Sequence, residues 1–319
     1  MKLIIQIPCY NETNYLPITL QDLPKHIKGI DKVETLVIDD GSTDNTVEVA
    51  KQNGVDHIIR FRKHRGLAAG FSAGLEACLL YGADIIVNTD ADNQYRGADI
   101  PKLIAPILKG EADIVIGDRQ TQEIHHFSWI KKKLQKLGSS LLKILSKTDI
   151  PDAPSGFRAI SREAALKLNV LSNFSYTLET LIQAGNIGLS VKSVPIKTNE
   201  KTRDSRLFTN LFSFLKRSGS TILRSYTMYK PLKIFSILSF IFLILGLIPG
   251  IRFLYFLYIG HYQGHIQSLI LTAILLIASF LLAVVAVLSD LIASNRKLIE
   301  EILRRVRRIE SKKTDNNTD

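Results

Sequence analysis

The 319-residue chain has little cysteine, one tryptophan, two methionines and too few acids for its bases. Cys9 and Cys78 form neither a Cys-x-x-Cys pair nor a zinc-ligand spacing. That excludes a zinc module and a disulfide scaffold and leaves free thiols in a reducing compartment as the expected state. The histidines show no ligand spacing either: His125 and His126 are merely adjacent. No signal peptide is expected, because Met1-Lys2 runs straight into a strand-like segment. Asp and Glu total 30 against 41 Lys and Arg, a net charge of +11. An anionic partner is therefore expected, whether nucleic acid, a phosphorylated substrate or a membrane surface. With 46% hydrophobic residues the average matches a soluble enzyme and excludes a disordered or collagen-like chain.

The apolar residues are unevenly spread. Ile234 to Ile251 carries no charge and is bracketed by Lys233 and Arg252. At about 1.5 Å per residue such a run reaches roughly 27 Å, close to the hydrocarbon thickness of a bilayer. A second uncharged run covers Gln267 to Ser289. A pair of buried core helices is the bland alternative, but an uncharged stretch from Phe253 to Ser289 is rare in soluble cores. The turn between the runs has no Lys or Arg, whereas Lys216, Arg217, Arg224, Lys230 and Lys233 precede them and Arg296, Lys297, Arg304, Arg305, Arg307 and Arg308 follow. Both flanks are expected on the cytoplasmic side of the cell membrane, joined by a short outer hairpin. Leu207 to Tyr229 reads as amphipathic helix on the inner leaflet or as ordinary surface helix. Arg296 to Arg308 reads as a basic amphipathic helix, on lipid or in a coiled coil between subunits. The expected division is 1–206 catalytic, 207–231 juxtamembrane, 232–290 transmembrane hairpin and 291–319 basic tail.

The N-terminal part alternates strand and helix patterns. Apolar runs at 3–7, 35–38, 57–61, 84–89 and 113–116 are separated by helical patterns at 15–26, 43–53, 67–81 and 100–108. Asp44 suits a cap of the second helix, and Pro101 suits the first turn of the fourth. The alternation implies an α/β fold with a mainly parallel sheet covered on both faces. The conspicuous polar residues all follow strands: Tyr10-Asn11-Glu12, Asp39-Asp40, Arg62 to His64, Asp90 to Gln94, and Asp118-Arg119. In open parallel sheets ligands bind beyond the carboxyl ends of the strands, so five segments should converge on one cleft.

Asp90-Ala91-Asp92-Asn93-Gln94 sets two carboxylates two residues apart after a strand. In an extended segment they share a side and, with Gln94, offer hard oxygen ligands to Mg²⁺ or Mn²⁺ bridging a diphosphate. The alternative is a solvated turn. Asp39 and Asp40 have no capping duty in the sequence pattern, and one can accept hydrogen bonds from a base or ribose. Pro8-Cys9-Tyr10-Asn11-Glu12 offers an aromatic face and a carboxylate. Gly66, Gly70 and Gly74 fall on one helix face, which favours close packing on a sheet. Gly70 to Gly74 also matches the Gly-x-Ser-x-Gly hydrolase elbow, but that motif needs a strand ending at its first glycine. Asp152 to Arg158 reads as a loop entering a short strand, and Glu179 lies in a following helix. Arg203 and Arg206 suit a phosphate clamp or contact with lipid.

Taken in order, Ile7–Glu12, Val37–Asp44, His64–Gly74, Thr89–Tyr95, Ile116–Arg119 and Ser155–Arg162 resemble the family 2 glycosyltransferases, in their dolichyl-phosphate mannose synthase and polyprenyl-phosphate glucosyltransferase branch. The resemblance covers roughly residues 3–206. It implies a GT-A type nucleotide-binding sandwich followed by interfacial and transmembrane helices. It implies an inverting transfer of one hexose from a UDP- or GDP-linked sugar to a polyprenyl phosphate. Partners are then the nucleotide sugar, the lipid phosphate and membrane lipid rather than nucleic acid, with homo-oligomerisation left open. By the same resemblance Pro8, Tyr10 and Glu12 form the nucleotide loop, and Ile38 and Asp40 the base-binding pair. Asp90, Ala91, Asp92 and Gln94 form the metal and diphosphate motif, Arg119 serves the sugar or acceptor phosphate, and Arg206 reaches the diphosphate. Asp152 is the candidate general base or else positions the acceptor. The Gln-x-x-Arg-Trp segment of processive synthases is missing, since Ser128 precedes the one tryptophan, Trp129. The competing readings are transfer to another lipid, such as diacylglycerol, and a non-catalytic nucleotide-sugar-binding scaffold.

Overall fold

The computed structural model of the chain describes residues 1–120, 148, 150–170, 176–199, 219–220, 227–260 and 266–315. They fall into two compact units, 1–225 with 301–319, and 226–300.

The first unit runs β1 (Lys2–Cys9), α1 (Leu16–Asp22), β2 (Lys32–Asp39), α2 (Thr46–Gln52), β3 (His57–Arg60), α3 (Leu67–Leu80), β4 (Ile85–Asn88), α4 (Ile100–Leu108), β5 (Ile114–Asp118), β6 (Arg158–Ser161), α5 (Arg162–Lys167), α6 (Tyr176–Asn186) and β7 (Val191–Pro195). The strands form one sheet in the order β3-β2-β1-β4-β6-β5-β7. Every neighbouring pair is parallel except the two made by β6. The order reverses beside β1, where β2 and β4 flank it, and such a switch point opens a crevice at the strands' carboxyl ends. Because β6 is antiparallel, it starts at that same edge: Arg158 lies across from Asn88, the last residue of β4.

Alternation along β1 explains the two covered faces. Leu3, Ile5 and Ile7 belong to a core shared with Leu16 of α1, Ala50 of α2 and Ile100, Leu103 and Ile104 of α4. Gln6 points the other way, toward α3. A Cβ on Gly74 would stand 2.4 Å from Gln6 Oε1 and 2.9 Å from Ile38 Cδ1. The glycine therefore serves close helix–sheet packing, and Gly70 to Gly74 lie inside α3 rather than at a hydrolase elbow. α1 ends at Asp22, short of His26, because Leu23 precedes Pro24 and is extended (φ −72°, ψ 137°). Cys9 and Cys78 are buried free thiols.

In the second unit, α7 (Pro231–Tyr258) and α8 (Ile266–Asp315, as far as Glu300) are long and apolar enough to cross a membrane, with windows of mean hydropathy 2.6 and 3.0. Small residues form their contact: the hydroxyls of Ser239 and Ser279 each donate to the other's carbonyl at 2.8 Å. Gly246 meets Leu275 and Leu276, and Gly250 meets Thr272. No Gly or Pro interrupts 267–315, so the helix continues through the basic segment, which is not a separate element. Within the first unit its late turns pack on protein: Arg307 donates to the Leu168 carbonyl and Glu76, and Arg308 pairs with Glu163. Most of 207–231 lies outside the described residues.

Candidate active site

The loops after β1, β2, β4 and β5 and the segment before β6 meet at the carboxyl edge. The burial of Cys9, together with the carboxylates of Glu12, Asp39, Asp44 and Asp90, pushes its thiol well up from its ordinary value. Acids from three loops therefore surround the end of β1. The described non-glycine residues with left-handed backbone are Asn11 (φ 54°), Asn93 (φ 54°) and Gln120 (φ 52°). All three sit in these loops, and such strain persists only where surrounding contacts over-determine it.

The first two loops are stitched together. Asn11 N–H donates to Ser42 Oγ and its Oδ1 accepts from Thr43 N–H, both at 2.9 Å. Glu12 N–H donates to Thr46 Oγ1, and Asp44 accepts from the N–H groups of Thr13 and Thr46. Asp44 thus braces the start of α2, as its position suggests, although the residue flanking that helix is Asn45. Asp39 and Asp40 do have structural duties, contrary to the sequence pattern. Asp39 accepts from Ser42 N–H and pairs with Arg60. Asp40 accepts from Arg65 N–H at 2.7 Å and Gly66 N–H at 2.8 Å and pairs with His64 Nδ1 at 2.9 Å, so it holds the turn that starts α3. His64 in turn lies against the Tyr10 ring, centroids 4.1 Å apart. Ile38 is fully buried against α3 and offers no free side-chain surface; it supports Asp39 and Asp40 from beneath. Beside Asp40 a cleft of about 430 Å³ is lined by Gly41, Ser42, Thr43, Arg60, Phe61 and Arg62.

The acidic segment after β4 is a turn rather than an extended strand end. Asp92 Oδ1 accepts from Gln94 N–H at 3.2 Å, so the two-residue alternation of extended backbone does not govern where Asp90 and Asp92 point. Distant residues fix the turn instead. Thr19 Oγ1 donates to the Ala91 carbonyl at 2.8 Å. Asn199 donates twice at 2.9 Å, from Nδ2 to the Asn93 carbonyl and from N–H to the Gln94 carbonyl. Asp90 lies on Gly156, where a Cβ would come within 3.1 Å of Asp90 Oδ1 and 3.0 Å of Tyr176 Oη. The Gly156 peptide is held on both sides: its N–H donates to Tyr95 Oη at 3.1 Å and its carbonyl accepts from Asn88 Nδ2 at 2.8 Å. Burial first, and Asp90 next, push the Tyr95 hydroxyl up to about 12 and raise that of Tyr176. Both stay neutral and able to donate.

Across this site Arg119 grips Asp152 with Nε at 2.7 Å, Nη2 at 2.9 Å and its backbone N–H at 3.1 Å. The hydrogen bonds to Asp152 raise the Arg119 pKa further, so the guanidinium is permanently charged. Asp152 is almost fully buried, and so is Arg158, which donates to the carbonyls of Ala153, Ser155 and Thr177 and to Thr180 Oγ1. Burial lowers the Arg158 pKa, while the nearby tyrosines and Asp152 partly offset it. The Asp152–Ser155 loop is thereby pinned at both ends by arginines.

Among the described residues no three His, Cys, Asp or Glu side chains gather as a closed metal site. The donor set of Asp90, Asp92 and Gln94 fits a hard cation that completes its shell with phosphate oxygens and water, as Mg²⁺ commonly does. Arg203 and Arg206 lie outside the described residues. Sequence reasoning missed Thr19, Asn88, Tyr176 and Asn199. Each acts through a backbone carbonyl or peptide far away in the chain, which leaves no local pattern to read.

Residues 4–168 match the glycosyl transferase family 2 profile. The chain belongs to that family. Members similar to it include the UDP-N-acetylglucosamine–dolichyl-phosphate N-acetylglucosaminyltransferase of Methanococcus voltae, 31% identical over 60% of this chain and 83% of that protein. The polyprenol monophosphomannose synthase of Mycolicibacterium smegmatis is 27% identical over 63% and 78%. Among solved structures, glucosyl-3-phosphoglycerate synthase from Mycobacterium tuberculosis, in complex with Mn²⁺, UDP and phosphoglyceric acid, superposes with a TM-score of 0.55 at 20% identity, covering 70% of this chain and 78% of that one. It shares the mixed, mainly parallel GT-A sheet found here.

Proposed function

We propose that this family 2 glycosyltransferase moves one hexose from a nucleotide sugar to a polyprenyl phosphate at a membrane surface, with inversion. The observation that carries the reading is that Asp90 lies near enough to act on the charge of both Arg119, which holds Asp152, and Cys9 at the end of β1. One sheet edge then offers a donor site and an anion site side by side. Relatives named for dolichyl, polyprenol and undecaprenyl phosphate support the acceptor class, and the two long apolar helices support a membrane-held catalyst.

In this reading Tyr10 and Asp40 receive the base, with Pro8, Glu12, Ile38 and Ala91 supporting the nucleotide loops. Asp90, Asp92 and Gln94 would hold Mg²⁺ or Mn²⁺, which would supply Lewis-acid neutralisation of the leaving diphosphate. Arg119 spends Nε and Nη2 on Asp152, and its Nη1 group remains for the acceptor phosphate. That phosphate has a second pKa of about 6 by analogy with phosphoserine. It reaches the sugar largely ionised, so no strong base is required. Asp152, already holding three donors from Arg119, positions the arginine. Arg206 completes the diphosphate clamp. Residues 1–206 form the catalytic part, 207–231 the juxtamembrane part and 232–290 the hairpin, with catalytic part and tail cytoplasmic.

The test is purified full-length protein in vesicles with polyprenyl phosphate, Mg²⁺ or Mn²⁺, and a panel of UDP- and GDP-sugars. An acid-labile hexosyl lipid is expected from one donor; no hexosyl lipid from any donor would remove the reading.

A further inference from the structure

Beyond its uncharged run, α8 presents two different sides. Asp290 ends that run, and the helix continues unbroken through the basic segment. One side packs on protein: Arg307 and Arg308 bond to Leu168, Glu76 and Glu163, and Ser311 is buried. A second row repeats at alternating three- and four-residue steps through Ile292, Asn295, Ile299, Ile302, Val306 and Ile309. In heptad terms these are successive a and d positions, and Arg307, Arg308 and Ser311 fall at b, c and f, away from them. The apolar members of the row stay exposed, from 44% at Val306 to 69% at Ile292. The row extends back through Leu288 and Val285, so the heptad pattern is sustained from 285 to 309.

Lipid does not reach far enough to cover this row. Between Asp290 and Ile299 the unbroken helix rises about 14 Å, at about 1.5 Å per residue. The headgroup layer adds only about 5–7 Å on each side of the hydrocarbon, and an average tilt of about 20° shortens the rise by only about 1 Å. The row does fit its own copy. Position a carries β-branched Ile292, Ile299 and Val306, and position d carries Ile302 and Ile309, residues that fill a coiled-coil seam. Asn295, the polar member of the row, meets another Asn295 only in register; a slip by one heptad buries its amide against isoleucine. Arg305 at g and Glu310 at e flank the seam, and these are the positions that meet across a parallel pair with opposite charge.

Resting on the membrane-hairpin reading above, which inserts every copy in the same direction, we propose that this row packs against the same row of a second copy of the chain as a parallel, in-register coiled coil. The b, c and f side of each helix stays on its own catalytic unit, and the a and d side joins the copies.

Full-length protein in vesicles, carrying one added cysteine, is oxidised mildly and its products are separated by size without reductant. Cys9 and Cys78 are buried, and the unsubstituted chain supplies the background. Ile302→Cys is expected to form a cross-linked pair at least tenfold faster than Lys297→Cys, at position f. Sedimentation in density-matched detergent is expected to show at least two copies for the native protein and a single chain when Ile299→Glu is combined with Ile302→Glu. Lys297→Glu is expected to leave the assembly unchanged, and thermal melting checks that the variants are folded. Sugar transfer to polyprenyl phosphate, measured alongside, reads the glycosyltransferase proposal separately. A native protein that sediments as a single chain would mean that lipid or another part of the chain covers the row. That result, or equal cross-linking at 302 and 297, would overturn the inference whether or not transfer is seen. An assembly that survives the double substitution would overturn its assignment to this row.

Discussion

The two edges of the sheet both concentrate acids, and they treat them in opposite ways. At the amino edge Glu34 of β2 is enclosed by Lys2, Lys32 and His57, each within 2.8 Å, and His57 stacks on Tyr81. Burial alone would raise the Glu34 pKa, but the hydrogen bonds from Lys2, Lys32 and His57 outweigh it and lower it to about 2. Asp84 and Asp113 there accept backbone N–H groups of Lys2 and Ser190. The charge is satisfied within the fold. At the carboxyl edge Asp152 and Asp39 also pair with arginines, but Asp40 and Asp44 take backbone N–H groups of their own and neighbouring loops, and Asp90 lies against Gly156 beside Tyr176. Backbone amides fix a carboxylate's direction without cancelling its charge, which leaves it able to bind a cation. An acid ringed by basic side chains stabilises the fold, and one held by backbone amides keeps a fixed direction.

Substitutions should separate the two edges. The largest effect is expected from Asp92→Ala, which should lower sugar transfer by about 10³-fold with an unchanged circular dichroism spectrum; full activity would remove Asp92 from the metal site. Next, Arg119→Ala should lower transfer about 10²-fold and also destabilise the fold by about 3 kcal/mol, because it leaves Asp152 buried without its partner. Denaturant titration reads the second effect, and Arg119→Lys should restore stability better than activity. Asn199→Ala should weaken Mn²⁺ binding about tenfold, followed by Mn²⁺ spin resonance in the presence of UDP. An unaltered Mn²⁺ affinity would mean that the turn holds its shape without Asn199. The smallest effect on activity belongs to the opposite edge: Glu34→Gln should leave transfer unchanged while costing about 2 kcal/mol of stability. Since the folded pKa of Glu34 is depressed, its contribution is present above about pH 4.5 and is lost as pH falls toward 2. In Glu34→Gln that part of the acid sensitivity should disappear from the melting curves.

Much of the fold was legible because the signals are local and repeated. Apolar runs of four to eight residues alternate with helices, and each is closed by a polar turn, so the parallel sheet and its active edge follow from periodicity. The glycine face of α3 was equally readable. The site was legible as a set of loops and less so as geometry. Asp90 and Asp92 were rightly drawn to one region, but on an expectation of extended backbone, whereas an Asx-type turn at Asp92 aims them. Asp39 and Asp40 looked uncommitted because their partners, Ser42, Arg60 and the 64–66 turn, are backbone groups or lie on other elements. The continuation of α8 through the basic tail was missed because composition changes at Asp290 without any Gly or Pro to end the helix.

The order of residues by itself determined the α/β alternation, the two long apolar helices, the basic balance and the loops in which chemistry resides. Each of these depends on short-range periodicity or composition that survives in the unfolded chain. Only the tertiary structure decided which acids pair with basic side chains and which are held by backbone amides, and that Asn199, Thr19 and Gly156 shape the acidic turn. Those outcomes depend on hydrogen-bond partners dozens of residues away, and only the closed sheet brings them within bonding distance.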